Sequence, residues 1–132
     1  YALINIENHN TELIRNYHAE WFNISKMPKL IFDHDDMVAH AVRRLRYRTS
    51  TKPVGFELLP EKFTMRQLLE LYEAILDKEL DKRNFISKIN SLDILVKLNE
   101  KDMLSSRKGS YLYMFDKEKY DAKLLNNFAL NL

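Results

Sequence analysis

The 132-residue sequence contains no cysteine, which excludes disulfides and thiolate metal sites and mildly favours a cytosolic address. Glycine is nearly absent as well. Its two copies, Gly55 and Gly109, stand far apart, whereas phosphate-cradling loops and dinucleotide fingerprints need several glycines close together. Most nucleotide-binding chemistry is thereby excluded from these residues. No apolar run approaches the ~18 residues of a membrane span, and the opening residues carry no signal-peptide pattern. A surplus of charge is also lacking: 21 Lys and Arg face 19 Asp and Glu, a formal net charge of +2. Global charge alone therefore calls for no polyanionic partner. What is present, 45% hydrophobic and 30% charged residues, suits a folded domain, with or without a small appendage.

The chain opens on Tyr1-Ala-Leu-Ile-Asn-Ile6, a run that reads as a strand already under way, so an upstream part is expected. Glu7–Asn10 is a polar turn cluster, and His18-Ala-Glu-Trp-Phe-Asn-Ile24 reads as a second strand. Asp33 is placed to cap a helix running to about Arg46, with Asp35 and Asp36 in its first turn. Met37, Val38, Ala41, Val42 and Leu45 recur there at helical spacing. Arg48-Thr-Ser-Thr-Lys-Pro53 is polar and ends in proline, the composition of a linker.

Beyond it the local signals sharpen. Thr64 and Gln67 are spaced for a capping box, and the following helix places Met65, Leu68, Leu69, Tyr72, Ile75 and Leu76 on one face. It should end near Asp77. Asp81 is a second N-cap, and Phe85, Ile89 and Leu92 form the buried stripe of the next helix. Two short capped helices with a tight connection predict a helix-turn-helix. Ile94–Leu98 and Ser110–Phe115 then read as the two strands of a hairpin around a polar, basic loop, which is a wing. A weak helix over Asp116–Leu125 follows, and Phe128–Leu132 is expected to pack back on the core.

Catalytic patterns are poor. Asp33, His34, Asp35, Asp36 and His40 cluster in sequence, but helical neighbours point apart, no H-E-x-x-H spacing exists, and an acidic helix start explains them. Ser105, Ser106 and Ser110 have no histidine nearby in sequence to activate them. No catalytic residue, metal ligand or cofactor is assigned, and enzymatic activity is not expected of these residues. Positive charge is instead local, at Lys78–Lys88 and at Lys97–Lys108, each carrying four basic against two acidic side chains. Those are the second helix of the pair and the hairpin loop, the parts of a winged helix that meet DNA. With its apolar stripe turned inward, the helix can present Arg83, Asn84, Ser87 and Lys88. Arg and Asn suit guanine and adenine edges in the major groove. Lys82, Thr64 and Gln67 are better placed for phosphates, and Arg107 and Lys108 for a minor groove or the backbone.

Val54–Leu76 followed by Leu80-Asp-Lys-Arg-Asn-Phe85 resembles the C-terminal winged helix of Nudix-related transcriptional regulators, which control NAD metabolism or sugar catabolism. Ala19-Glu-Trp-Phe-Asn-Ile, Met27-Pro and Leu30-Ile-Phe-Asp-His-Asp-Asp-Met resemble the end of that family's Nudix domain. The resemblance implies an α+β chain. Residues 1–47 would be the C-terminal remnant of a Nudix α/β/α fold, and residues 48–132 a winged-helix DNA-binding domain. It further implies a cytoplasmic bacterial regulator that meets a double-stranded DNA operator as a homodimer, without a membrane. A nucleotide-sugar or sugar-phosphate effector would be sensed by an upstream Nudix part. By position, Lys82, Arg83 and Asn84 open the recognition helix. The sequence departs from the family at Ile86 and Ser87, where a more basic pair is expected, and it lacks the Nudix box. Without those carboxylates these residues hold no magnesium site for pyrophosphate hydrolysis. The competing expectation is the C-terminal part of a Nudix hydrolase for ADP-ribose-like substrates, its winged helix used for dimerisation or protein binding.

Overall fold

The apolar stripes of the two capped helices need a common surface to cover, and a small sheet supplies it. A computed structural model describes residues 2–4, 6, 14–104, 107–124 and 130, and the chain divides into two compact units, Tyr1–Arg44 and Leu45–Leu132.

None of the described residues in the first unit is buried. The strand expected at Tyr1–Ile6 does not form where it can be seen: Ala2–Ile4 carry no regular structure, Ile6 is helical, and Tyr1 and Asn5 lie outside the described residues. The turn at Glu7–Asn10 lies outside them too. The second expected strand is also absent. His18 takes a left-handed backbone (φ 51) that interrupts an extended run. The segment then closes into a 3-10 turn at Ile24–Lys26, capped by Asn23, whose Oδ1 accepts from the Ser25 backbone at 2.9 Å. A β-rich composition gives a strand only where a neighbour completes the ladder, and no strand of this unit is present among the described residues.

Helix α1 (His34–Thr51) begins where Asp33 predicts, but runs five residues beyond Arg46 and absorbs most of the expected linker. The polar residues are accommodated by bonding back to the helix. Ser50 Oγ and Thr51 Oγ1 both donate to the Tyr47 carbonyl, at 2.8 and 3.0 Å, whereas Thr49 is buried with no hydrogen-bond partner for its hydroxyl among the described residues. Pro53, which disfavours a helical residue before it, follows the end of the helix.

In the second unit, a 3-10 turn (Phe56–Leu58) entered through Gly55 precedes strand β1 (Phe63–Thr64), helix α2 (Met65–Leu76) and helix α3 (Lys82–Ser91). Strands β2 (Leu95–Asp102) and β3 (Ser110–Phe115) and helix α4 (Lys117–Leu124) complete it. The sheet is antiparallel in the order β1-β3-β2. Strand β2 extends four residues past the predicted end at Leu98, because a break in register after Lys97 lets pairing resume at Lys101.

The core lies between α2, α3 and the sheet. Phe63, Leu68, Tyr72, Phe85, Ile89 and Ile94 are almost fully enclosed, and Tyr72 meets Phe85 edge-on with ring centres 5.3 Å apart. Phe56 stacks on Phe115 at 4.1 Å. The Tyr72 hydroxyl accepts from the Val54 backbone N–H at 3.1 Å, and burial holds its proton well above the ordinary tyrosine range. Tyr120 donates to the Pro53 carbonyl at 3.0 Å. Leu130 is buried in the core, its N–H donating to the Thr51 carbonyl at 2.7 Å, in line with the expected return of the chain end. Its neighbours Phe128, Ala129, Asn131 and Leu132 lie outside the described residues.

Candidate nucleic-acid interface

The helix pair is set by its caps. Thr64 Oγ1 accepts from the Gln67 backbone at 3.2 Å, while Gln67 Oε1 accepts from the Thr64 backbone at 2.8 Å, so both halves of the predicted capping box are made. Helix α2 stops at Asp77 in a left-handed conformation, and Arg46 of α1 binds the Asp77 carboxylate at 2.9 Å. Asp81 Oδ1 then caps α3 by accepting from the Asn84 backbone at 2.7 Å.

These caps decide what α3 shows. Phe85, Ile89 and Leu92 face the core, which turns Lys82, Arg83, Asn84 and Ser87 to solvent at the start of the helix. Neither Lys82 nor Arg83 has an acidic partner among the described residues, whereas Arg66 on α2 is engaged by Glu70 at 2.7 Å, which raises its pKa. Lys88 is half-buried and engaged within the fold. Thr64 is only 2% exposed and its hydroxyl belongs to the cap, so it fixes the start of α2 and does not reach outward. Gln67 is exposed, with its oxygen in the cap.

Arg107 and Lys108 are exposed at the turn of the β2–β3 hairpin, which Gly109 closes in a left-handed conformation (φ 71). A Cβ at Gly109 would come within 2.7 Å of Met103 Sδ and 3.1 Å of the Lys101 side chain, so only glycine fits there without displacement. A groove of about 500 Å³ separates this hairpin from the start of α2, lined by Lys62, Gln67, Asp102, Leu104 and Leu112. The sequence reading missed a further cationic group. Lys97 and Lys101 hold their ammonium groups 3.7 and 4.8 Å from the centre of the Tyr111 ring. Their period along β2 signals nothing, because the register break intervenes.

The acidic and histidine residues at the start of α1 do not converge. Asp35 Oδ1 accepts from the Leu30 backbone at 3.0 Å, and among the described residues no three His, Asp or Glu side chains gather as a metal site. Ser105 and Ser106 lie outside the described residues. Among those residues no helix is long and apolar enough to cross a membrane.

Two capped helices, the second presenting unpaired basic and amide side chains, followed by a hairpin with a basic turn, define a winged helix of the kind that binds DNA. Residues 55–115 match the NrtR DNA-binding winged helix domain. Residues 55–115 thus form a winged helix of the NrtR type, and NrtR proteins are a family of Nudix-related regulators. It is 28% identical over 123 residues to the ADPR responsive transcriptional repressor NtrR of Acinetobacter baylyi, covering 92% of this chain and 49% of that one. It therefore spans about half the length of the curated relative it matches. The crystal structure of Shewanella oneidensis NrtR is similar with a TM-score of 0.60 at 24% identity, covering 76% of this chain and 46% of that one. The same protein complexed with a 27mer DNA gives a TM-score of 0.69 at 20% identity, over 94% and 54% of the two chains. At these identities the likeness is one of fold.

Proposed function

We propose that this chain is the DNA-binding part of a bacterial transcriptional repressor that occupies an operator as a homodimer. Its release would follow binding of a small effector of the ADP-ribose type. The observation that carries the reading is the exposed, unpaired Arg83 beside Asn84 at the capped start of α3. In this reading α3 enters the major groove, with Arg83, Asn84 and Ser87 at base edges and Lys82 and Lys88 toward the backbone. The exposed Gln67 meets a phosphate at the start of α2, which Thr64 holds in place, and Arg107 and Lys108 lie along the minor groove or its phosphates. The part acts by binding and not by catalysis, and it works in the cytoplasm where operator DNA is found. Residues 1–47 are read as the end of a Nudix-like domain and 48–132 as the winged-helix domain. Effector sensing belongs to the upstream part, and genes of NAD or sugar metabolism are its targets. The name of the Acinetobacter relative supports both repression and the effector class.

The test is binding of the chain to a duplex selected by it from a random pool, compared with unselected duplex. Arg83→Ala should remove about 1–3 kcal/mol of discrimination between the two. Lys108→Ala should weaken both equally and reduce the salt slope by about 1. Equal losses on both duplexes for both variants would overturn the assignment.

A further inference from the structure

We propose that Lys97, Lys101 and Tyr111 form a clamp for the phosphate backbone of the bound duplex, an inference that rests on the DNA-binding reading above. Lys97 pairs with Tyr113 and Lys101 with Tyr111, so four steps along β2 match two along β3. In an unbroken ladder Asn99 would oppose Tyr111. The bulge puts Lys101 there instead, a re-aiming of a side chain that bulges commonly serve.

The ring then gathers both lysines, with each ammonium within 4.8 Å of its centre. The negative face of an aromatic ring attracts a cation, and it fixes two otherwise flexible stems in one place. Two like charges gathered at one ring favour an anion beside them, and among the described residues neither lysine has an acidic partner. The nearby acids are already engaged. Glu100 is bound by Lys62 at 2.7 Å, Asp102 Oδ1 accepts from the Leu104 backbone at 2.9 Å, and Asp93 is bound by Lys119 at 3.1 Å. Lys97, Lys101 and Tyr111 are all exposed, the tyrosine at 42%.

Placement relative to α3 selects the ligand. Tyr111, Tyr113 and Phe115 alternate onto one face of β3. Tyr113 and Phe115 pack on the core that contains Phe85 and Ile89 of α3, so Tyr111 continues that face outward from the core. Lys97 also lines a groove of about 250 Å³ with Asn90 of α3. A duplex seated on α3 would therefore pass its backbone over this cluster, which reads charge and not sequence.

The experiment measures the affinity of the full chain for a fluorescein-labelled duplex of arbitrary sequence as a function of salt. Lys97→Gln with Lys101→Gln should lower the steepness of the log–log salt dependence by about 1–2 and weaken binding about tenfold. The paired Lys→Arg variants should keep the slope. Tyr111→Phe should bind as the parent does, and Tyr111→Leu should bind several-fold more weakly with the slope retained. Matching thermal midpoints show that the variants are folded, and the arginine pair carries the test should the glutamine pair unfold. A parent that binds duplex while the Lys→Gln pair keeps its slope overturns the clamp alone. A parent that binds no duplex overturns the functional reading beneath it.

Discussion

The two units use similar side chains to opposite ends. In Tyr1–Arg44 the large apolar residues Trp21, Phe22, Ile31 and Phe32 stand exposed, Phe32 at 89%. In Leu45–Leu132 residues of the same kinds build a core, with Phe63 and Phe85 at 1%, while Met103 and Leu104 on the hairpin stay exposed. Apolar content alone therefore does not make a core. The second unit succeeds because caps and strand pairing fix where each apolar side chain points, and the elements then cover one another's faces.

That contrast can be broken most forcefully at Phe85. Phe85→Ala removes a ring packed on Tyr72 and should cost about 3–5 kcal/mol in denaturant unfolding, while Phe32→Ala should move stability by no more than ~0.5 kcal/mol. Equal effects would show that the units share one cooperative core. Next comes Tyr72→Phe, which strips the Val54 N–H of its partner and should cost about 1–3 kcal/mol. It should also change the alkaline limb. Because the folded tyrosine keeps its proton above the ordinary value of 10.0, the parent's stability from this group is complete below that pH and falls as pH rises beyond it. The phenylalanine variant should lose that part of the fall, as a pH series of thermal melts would reveal. Asp81→Ala should cost about 0.5–2 kcal/mol by uncapping α3, while Asn23→Ala in the first unit should leave the unfolding midpoint unmoved. Arg46→Gln should lose ~0.2–1 kcal/mol, less at high salt, since the Asp77 carboxylate that it binds is largely exposed.

Where structure follows from near neighbours, the sequence is readable. Thr64 with Gln67, Asp81 with its helix, and the inward stripe of Phe85, Ile89 and Leu92 need only a few consecutive residues to be recognised, and all are found as expected. The strands expected at 1–6 and 18–24 are not found among the described residues, because a ladder depends on a partner that local composition does not reveal. The polar stretch after Arg46 stayed helical because Ser50 and Thr51 can satisfy themselves against the preceding turn, which a linker composition conceals. At the candidate interface, the outward turn of Arg83 and Asn84 was legible from helical phase. The lysines over Tyr111 were not, since their meeting depends on a cross-strand shift invisible along one strand.

Gly109 gives the hairpin a vulnerability that charge inspection alone would overlook. A single methyl added there presses on Met103 and Lys101 together, in a backbone conformation that alanine resists. An electrically silent replacement would thus push the Lys101 stem, and with it one of the two ammonium groups at Tyr111, while leaving every charge in the formula.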